Sequence, residues 1–492
     1  MESFTLPLLS ITTFLPLLGA LVILILRPRN KRMTFGIGIG ASALAVLTSV
    51  AIWLRGVGGS FTQIEQFEWI PSLGIAYRMG VDGISFPLVI LTTVLFLTTL
   101  IYSAKNRKQA NAYVMLFLLL ETACLGVFMS LDLFLFYVFF EVTLVGMYFI
   151  IAEWGHENSK KAALTFFLYT LLGSLFLLLA FLSLYLHSDP LTFDMRALIA
   201  NPPLTGLAAA LTFWGLFVAF AIKTPLVPVH TWLPAAHTEA PAAGSAILAG
   251  VLLKLGAYGF IRFALQMTPG AFQQFAPYVI VIAVITALYG ALVALAQTDI
   301  KRMVAYTSVN HMGYMVFGVA AAAIVGAGTQ TSALDGATLQ MISHGVVTGV
   351  LFLLVGALQD RTQTREMGDM GGLLKTHPVL SGLFIVAAFA SLGLPGLAHF
   401  PAEFQIFLGG FDVSPVATSF IILGLLITTG LYLRAIQQVF MGKPMKEIAH
   451  PADLNARELW AIVPLIAAVV LIGVYPDLLL SVIHATTKLM GF

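Results

Sequence analysis

Five charged side chains of this 492-residue chain lie inside long apolar runs: Glu121, Glu141, Lys223, Lys254 and Glu403. Two histidines, His311 and His344, share that setting. An ionisable group at the centre of a membrane-spanning helix costs roughly 2.5–3.5 kcal/mol on insertion scales, so by default it faces a partner or water and marks a pathway. These residue types point to proton transfer. A lysine out of water gives up its proton more readily, and a nearby carboxylate restores its hold. Histidine, with an unperturbed pKa near 6.5, suits a relay. If Glu141 approaches Lys223, moving that acid would switch the lysine between holding and releasing a proton. Lys254 would receive it, the histidines carry it and Glu403 pass it outward.

The local sequence around each group narrows its role. Glu141 follows the run Leu133 to Phe140, with Tyr137 one turn away. Lys223 ends the run Phe213 to Ile222 and directly precedes Thr224, Pro225 and Pro228. Proline removes a donor and clashes with the preceding turn, so a helix break is expected just past Lys223. At membrane depth such a break is tolerated only against protein or a hydrated cavity; the bland alternative is a lysine snorkelling to the interface. Lys254 lies too deep in its helix for that. His311 shares a stripe with Thr307, Asn310 and Tyr314, and His344 has Gln340 and Thr348 one turn to either side. The stripes read as a hydrated relay or, more blandly, as interhelical hydrogen bonds. A metal site is not expected: neither histidine has a carboxylate or second histidine at i+4, and His230 and His237 lack the H-E-x-x-H spacing. Glu403 follows Pro395, Gly396 and Pro401, which predict a second interrupted helix.

These groups need elements to hold them, and composition says which. Hydrophobic residues make up 59% of the chain and charged residues 10%, against about 25% charge in soluble domains. The chain lives in a bilayer. Its apolar runs are continuous, so the fold is expected to be all-α rather than a β-barrel. About fourteen spans are expected, near 6–26, 34–54, 81–102, 113–130, 132–152, 163–186, 206–224, 242–265, 275–297, 303–325, 337–358, 378–411, 416–438 and 458–484. The first is not a cleavable signal, since positive charge follows it. With Arg27, Arg29, Lys31 and Arg32 placed inside, alternation puts eighteen basic residues in inner loops, including Arg107, Lys301 and Lys446. Five fall outside: Arg55, Arg78, Arg196, Arg262 and Lys488. That asymmetry sets the orientation, with both termini outside. The two interruptions lie five spans apart, the mark of inverted repeats, with spans four to eight and nine to thirteen as the repeats. The expected organisation is a three-helix segment (1–112), two antiporter-like repeats (113–266 and 275–440) and a C-terminal helix (441–492).

Several function classes drop out. The net charge of +2 gives no reason for nucleic-acid binding, and the single cysteine, Cys124, allows no internal disulfide. Iron–sulfur ligation takes several cysteines, no phosphate-binding loop is present, and Gly36, Gly38 and Gly40 suit helix packing. No cofactor is expected on this chain. Nothing in it supplies driving energy, so it should be one part of a larger machine.

The motifs then match a known family. The chain resembles the antiporter-like membrane subunits of proton-pumping NADH:quinone oxidoreductase (complex I), most closely the M type. The resemblance rests on Gly80 to Ser85 (GVDGIS), Ser130 to Glu141, Lys223 to Pro241 (KTPLVPVHTWLPAAHTEAP), Leu252 to Gly259, Asp299 to Gly313, Ile342 to Phe352 and Gly393 to Phe404. It implies that Glu141 pairs with the broken-helix Lys223, that Lys254 is the central lysine, that His311 and His344 bridge, and that Glu403 is the terminal acid. Subunits L and N and the multi-subunit antiporters typically carry lysine at that last position. Glu121, His230 and Asp132 are secondary candidates. Ala235, Ala402 and Asn310 depart from the family pattern. The resemblance further implies the L- and N-type subunits and lipids as partners, NADH, flavin, iron–sulfur clusters and quinone on other subunits, and a bacterial plasma membrane rather than a thylakoid. Rival readings are a secondary cation/proton antiporter, a ferredoxin- or hydrogenase-linked relative, and a structural spacer.

Overall fold

The computed structural model describes residues 6–105, 108–324, 330–443 and 452–491; Arg107 and Lys446 of the inner loops lie outside them. Helices α1 (Leu8–Leu26) and α2 (Lys31–Leu54) lead into a hairpin of β1 (Thr62–Ile70) and β2 (Ile75–Val81). Then come α3 (Ser85–Ser103), α4 (Ala110–Met129), α5 (Leu133–Trp154), α6 (Ser159–Leu186), the short α7 (Met195–Ala200), α8 (Gly206–Lys223) and α9 (Trp232–Glu239). One continuous helical stretch follows, built from α10 (Ala242–Ile247) and α11 (Leu253–Gly259), each followed by a π-helical turn, Leu248–Leu252 and Phe260–Leu265. The remainder is α12 (Pro269–Leu295), α13 (Ile300–Ala322), α14 (Gln330–Thr362), the single turn α15 (Leu373–Thr376), α16 (Pro378–Ser391), α17 (His399–Val413), α18 (Pro415–Val439), α19 (Ala456–Val474) and α20 (Asp477–Thr487).

Among the described residues, twelve helices are long and apolar enough to cross a membrane, two fewer than the expected spans. The first shortfall is α13, whose Thr307, Ser308, Asn310 and His311 lower its hydropathy; it is buried along nearly its whole length, so protein replaces lipid around those groups. The second is the stretch 378–411, divided into α16 and α17 at Pro395 and Gly396. Two boundaries also move. Residues 75–81 extend as a strand before α3, and the last span stops at Val474, ahead of Pro476, with α20 as a separate helix.

The hairpin was not read from the sequence, and it anchors two helices. Glu65 accepts from the backbone amides of Leu9 and Ser10 at 2.8 and 3.0 Å, supplying the α1 N-terminus with the acceptor that its preceding proline lacks. Asp132 caps α5 through the Phe134 amide at 3.0 Å and accepts from Ala76 of β2 at 3.2 Å and from Arg78 at 2.6 Å. Burial raises its carboxyl above the usual range, opposed by those backbone donors and by Arg78. Asp132 thus caps α5 and ties it to the hairpin. Two basic residues assigned to loops are buried instead. Lys301 donates to the Thr238 and Ala240 carbonyls at 3.3 and 2.5 Å, the C-terminal end of α9, where a cation complements the helix dipole. Arg262 pairs with Asp82.

Candidate functional site

The first break forms where the prolines require it. Helix α8 ends at Lys223, the chain unwinds through 224–231, and Trp232 donates from Nε1 to the Ile222 carbonyl at 2.9 Å, satisfying one acceptor at the broken end. Lys223 is 2% exposed, so it does not snorkel. Its Nζ donates to Thr143 Oγ1 at 3.5 Å and sits 4.7 Å from the centre of the Phe140 ring. Glu141 stands between those two residues on α5, half-buried, with Oε1 lacking a protein partner. No ion pair within 4.0 Å joins Glu141 to Lys223 among the described residues; the acid is adjacent to the lysine's pocket but not paired in this conformation.

Lys254 sits at the turn where the helix is widened. Leu253 N–H reaches back five residues to the Leu248 carbonyl, the π-helical pattern, and Lys254 Nζ donates to the Ala249 carbonyl at 2.6 Å. The same Nζ is 2.6 Å from Nδ1 of His344 on α14. Lys254 and His344 are both fully buried. The His344 ring lies 5.4 Å from that of His311 and 6.1 Å from that of His399, while His311 and His399 are 4.6 Å apart, centre to centre.

The second break completes the row. A helical carbonyl accepts from the amide four residues on, but four residues after Ser391 stands Pro395, which has no N–H. The freed Ser391 oxygen meets His311 Nε2 at 3.1 Å and His399 Nδ1 at 3.3 Å. One turn further along α17, Glu403 places Oε1 3.7 Å from His311 Nε2, 3.5 Å from His399 Nδ1 and 3.3 Å from Gln340 Nε2. Gly393, at φ +75°, makes room: a Cβ there would lie 2.6 Å from Glu403 Oε2. Lys254, His344, His311, His399 and Glu403 thus form one buried, contiguous row.

Lys223 and Lys254 are not joined by a polar contact, yet their elements touch. The space where Gly256 of α11 has no side chain is taken by Thr224 and by Lys223 Cβ. His230, set apart from the row, packs 5.0 Å from the Tyr289 ring and lines a cavity of about 430 Å³ with Lys161, Glu239 and Arg302. Glu121 is fully buried and accepts from Ser42 Oγ at 2.5 Å. His399 is a group of this row that the sequence reading does not single out, whereas Gln340 is already expected beside His344. The signal for His399 was present, since it stands four residues before Glu403 and so shares its helix face. That pair also bears on metal binding: ligand atoms of His311, His399 and Glu403 lie within 4.8 Å of one another and could hold an ion, a grouping that spacing around His311 and His344 alone does not reveal.

Residues 130–428 match the family model of the NADH:quinone oxidoreductase/Mrp antiporter membrane proteins, a segment that contains the whole row and both breaks. NADH-quinone oxidoreductase subunit M of Rickettsia prowazekii is 41% identical, over 98% of each chain. The chain belongs to the NADH-quinone oxidoreductase subunit M family. Its structure is similar to a chain of respiratory complex I from Thermus thermophilus, with a TM-score of 0.88 and 32% identity over 98% of this chain and 100% of that one. A chain of the Mrp complex from a Dietzia species shares the fold, with a TM-score of 0.84 at 22% identity over 98% and 97% of the two chains. The fold from α5 into α18 is thus that of the antiporter-like proteins, and the likeness extends beyond the matched segment to nearly the whole chain.

Proposed function

We propose that this chain moves protons across the membrane as a cofactor-free membrane-arm subunit of NADH:quinone oxidoreductase, powered by electron transfer on other subunits. The observation that carries this reading is the 2.6 Å contact of Lys254 Nζ with His344 Nδ1, at the head of a buried row that ends on Glu403. A proton given up by Lys254 to His344 can leave from the opposite ring nitrogen, because imidazole accepts on one nitrogen and releases from the other. His311 and His399 then stand between His344 and the Glu403 carboxyl. Buried atoms with open hydrogen-bonding capacity line the same row, including His344 Nε2, His399 Nε2, Ser343 Oγ and Ser391 Oγ; a polar lining of this kind is what bridging water needs.

At the other end, Glu141 and Lys223 form the switch: approach of the acid holds the lysine's proton, and separation frees it toward Lys254. The unpaired arrangement described above is the releasing state. The two breaks belong to inverted repeats formed by spans four to eight and nine to thirteen, with both termini outside, in a bacterial plasma membrane. The L- and N-type subunits are the neighbours, and NADH, flavin, iron–sulfur clusters and quinone belong to other subunits. The test is Lys254→Ala in the assembled complex: fewer protons moved per NADH oxidised is expected. An unchanged ratio would leave the chain a structural spacer.

The shape shared with the Mrp chain favours a second reading, a cation/proton antiporter. Sodium-driven proton flux by this chain alone in liposomes would support it. Co-purified peripheral subunits separate the favoured reading from a ferredoxin- or hydrogenase-linked machine.

A further inference from the structure

Below Lys254 the same helical stretch carries Tyr258, Arg262 and Gln266, each four residues after the last, so each is a helix-surface neighbour of the one before it; the Tyr258 hydroxyl donates to the Phe128 carbonyl of α4 at 3.4 Å. None of the last three belongs to the row that ends on Glu403. Arg262 is 1% exposed. Its Nη2 pairs with Asp82 Oδ1, its Nη1 donates to Gln266 Oε1 at 3.3 Å, and its guanidinium lies 5.2 Å from the centre of the Tyr258 ring and 5.0 Å from that of Phe61. Nε of Arg262 has no protein partner. A buried guanidinium and carboxylate are costly to desolvate, and a merely structural staple does not need a cavity beside it. Here both groups line a cavity of about 410 Å³, together with Gln266, Ala200, Thr486 and Leu489. Ala200 is exposed, Gln266 half-buried and Arg262 buried, so the lining grades from open surface to sealed interior. The cavity lies between the hairpin's return into α3, the α7 segment and the chain's last helix, the face that the basic-residue asymmetry assigns to the outside.

We propose that this cavity is an exit vestibule for protons leaving Lys254, reached through the Tyr258 hydroxyl and closed at its inner end by the Arg262–Asp82 pair. It rests on the proton-carrying reading above and gives Lys254 a second outlet beside Glu403. The step balances without a cofactor. The Tyr258 hydroxyl takes a proton on oxygen as it releases its own, Asp82 accepts that proton while its pairing with Arg262 loosens, and the vestibule's water takes it away, restoring the carboxylate and the ion pair. Asp82 also accepts from the Ile84 and Ser85 amides at 3.1 and 3.0 Å, which holds the carboxylate at the vestibule wall while the guanidinium moves.

The experiment uses the complete complex in proteoliposomes. Gln266→Cys is treated from the outer side with a membrane-impermeant trimethylammonium methanethiosulfonate, with labelling followed by mass spectrometry and the treated wild-type complex as control. Labelling accompanied by a fall in protons moved per NADH oxidised is expected. A thiol that stays unlabelled from that side, or complete labelling with an unchanged ratio, overturns the vestibule. Tyr258→Phe deletes one oxygen and leaves the ion pair in place, so it covers the case in which the cysteine variant fails to assemble: a reduced ratio is expected, and an unchanged one overturns the route. Lys254→Ala is run alongside. If it leaves the ratio unchanged, the proton-carrying reading itself fails; if it lowers the ratio while the other two variants do not, only the vestibule does.

Discussion

His311 and His399, eighty-eight residues apart in sequence, share one acceptor, the carbonyl oxygen of Ser391, at 3.1 and 3.3 Å. The sharing follows from a covalent fact four residues downstream. Pro395 has no amide to offer, so the oxygen at the end of α16 takes side-chain donors instead. A helix-breaking residue thereby sets the position of two titratable rings and, through them, of Glu403.

His399→Gln tests whether this histidine relays protons or only holds the break. A glutamine amide can still donate to the Ser391 oxygen, but it does not exchange protons as imidazole does. Proton pumping is expected to fall while the assembled complex accumulates normally. A structural role alone would leave the ratio of protons to NADH at its wild-type value.

Pro395→Ala restores the missing amide. A proline costs about 3 kcal/mol in a helix interior relative to alanine, so the substitution favours extending α16 and returning the Ser391 oxygen to a backbone donor. Reduced pumping in an assembled complex is the expected result. Comparison of the variant's structure with the parent would show whether His311 and His399 have lost their shared acceptor.

Gly393→Ala strains the same break by a different route. The backbone there is left-handed, at φ +75°, and a Cβ in that region costs roughly 1–2 kcal/mol. The added carbon would also lie 2.6 Å from the Glu403 carboxylate. Lowered pumping together with lowered complex yield is expected, whereas Gly382→Ala, whose Cβ meets open space, should leave both unchanged.

The Glu141→Ala, Lys223→Ala double variant addresses the switch. Loss of pumping and of the coupled part of NADH oxidation is expected, with assembly largely retained because the two groups make no ion pair here. Wild-type pumping by the assembled double variant would refute the role assigned to them.

Asp132→Ala should act on stability instead. It removes an N-cap, worth about 1 kcal/mol, and a charge-assisted bond from Arg78, worth roughly 1.5–3 kcal/mol. A lower thermal midpoint of the solubilised complex is expected, with protons per NADH unchanged in the fraction that assembles.

Much of the site was legible because charge inside hydrocarbon is conspicuous. Lys223, Lys254, His311, His344 and Glu403 announce themselves by type and depth, and Pro225, Pro228 and Pro395 mark the breaks. Contacts that depend on tertiary placement were not legible. Nothing near Ser391 in sequence says that its oxygen will meet a ring from α13, and the histidine spacings around His230, His237, His311 and His344 do not point to His399. The hairpin escaped because its first strand carries exposed Ile64, Phe67 and Trp69 beside four carboxylate or amide neighbours, Gln63, Glu65, Gln66 and Glu68, a pattern without clean alternation. Asp132 shows the same limit: an acid inside a strong family motif invites a chemical role, and only the fold reveals that amides and one arginine surround it.

The widened turn at Leu248–Leu252 makes the stretch after it behave like a cam on a shaft. Each residue advances an α-helix by about 100°, so deleting a single residue within that turn would rotate Lys254, Tyr258 and Arg262 together away from their present partners. His344 and Asp82 would lose their counterparts in one stroke. The length of this short segment, as much as the identity of its side chains, sets where the buried lysine points.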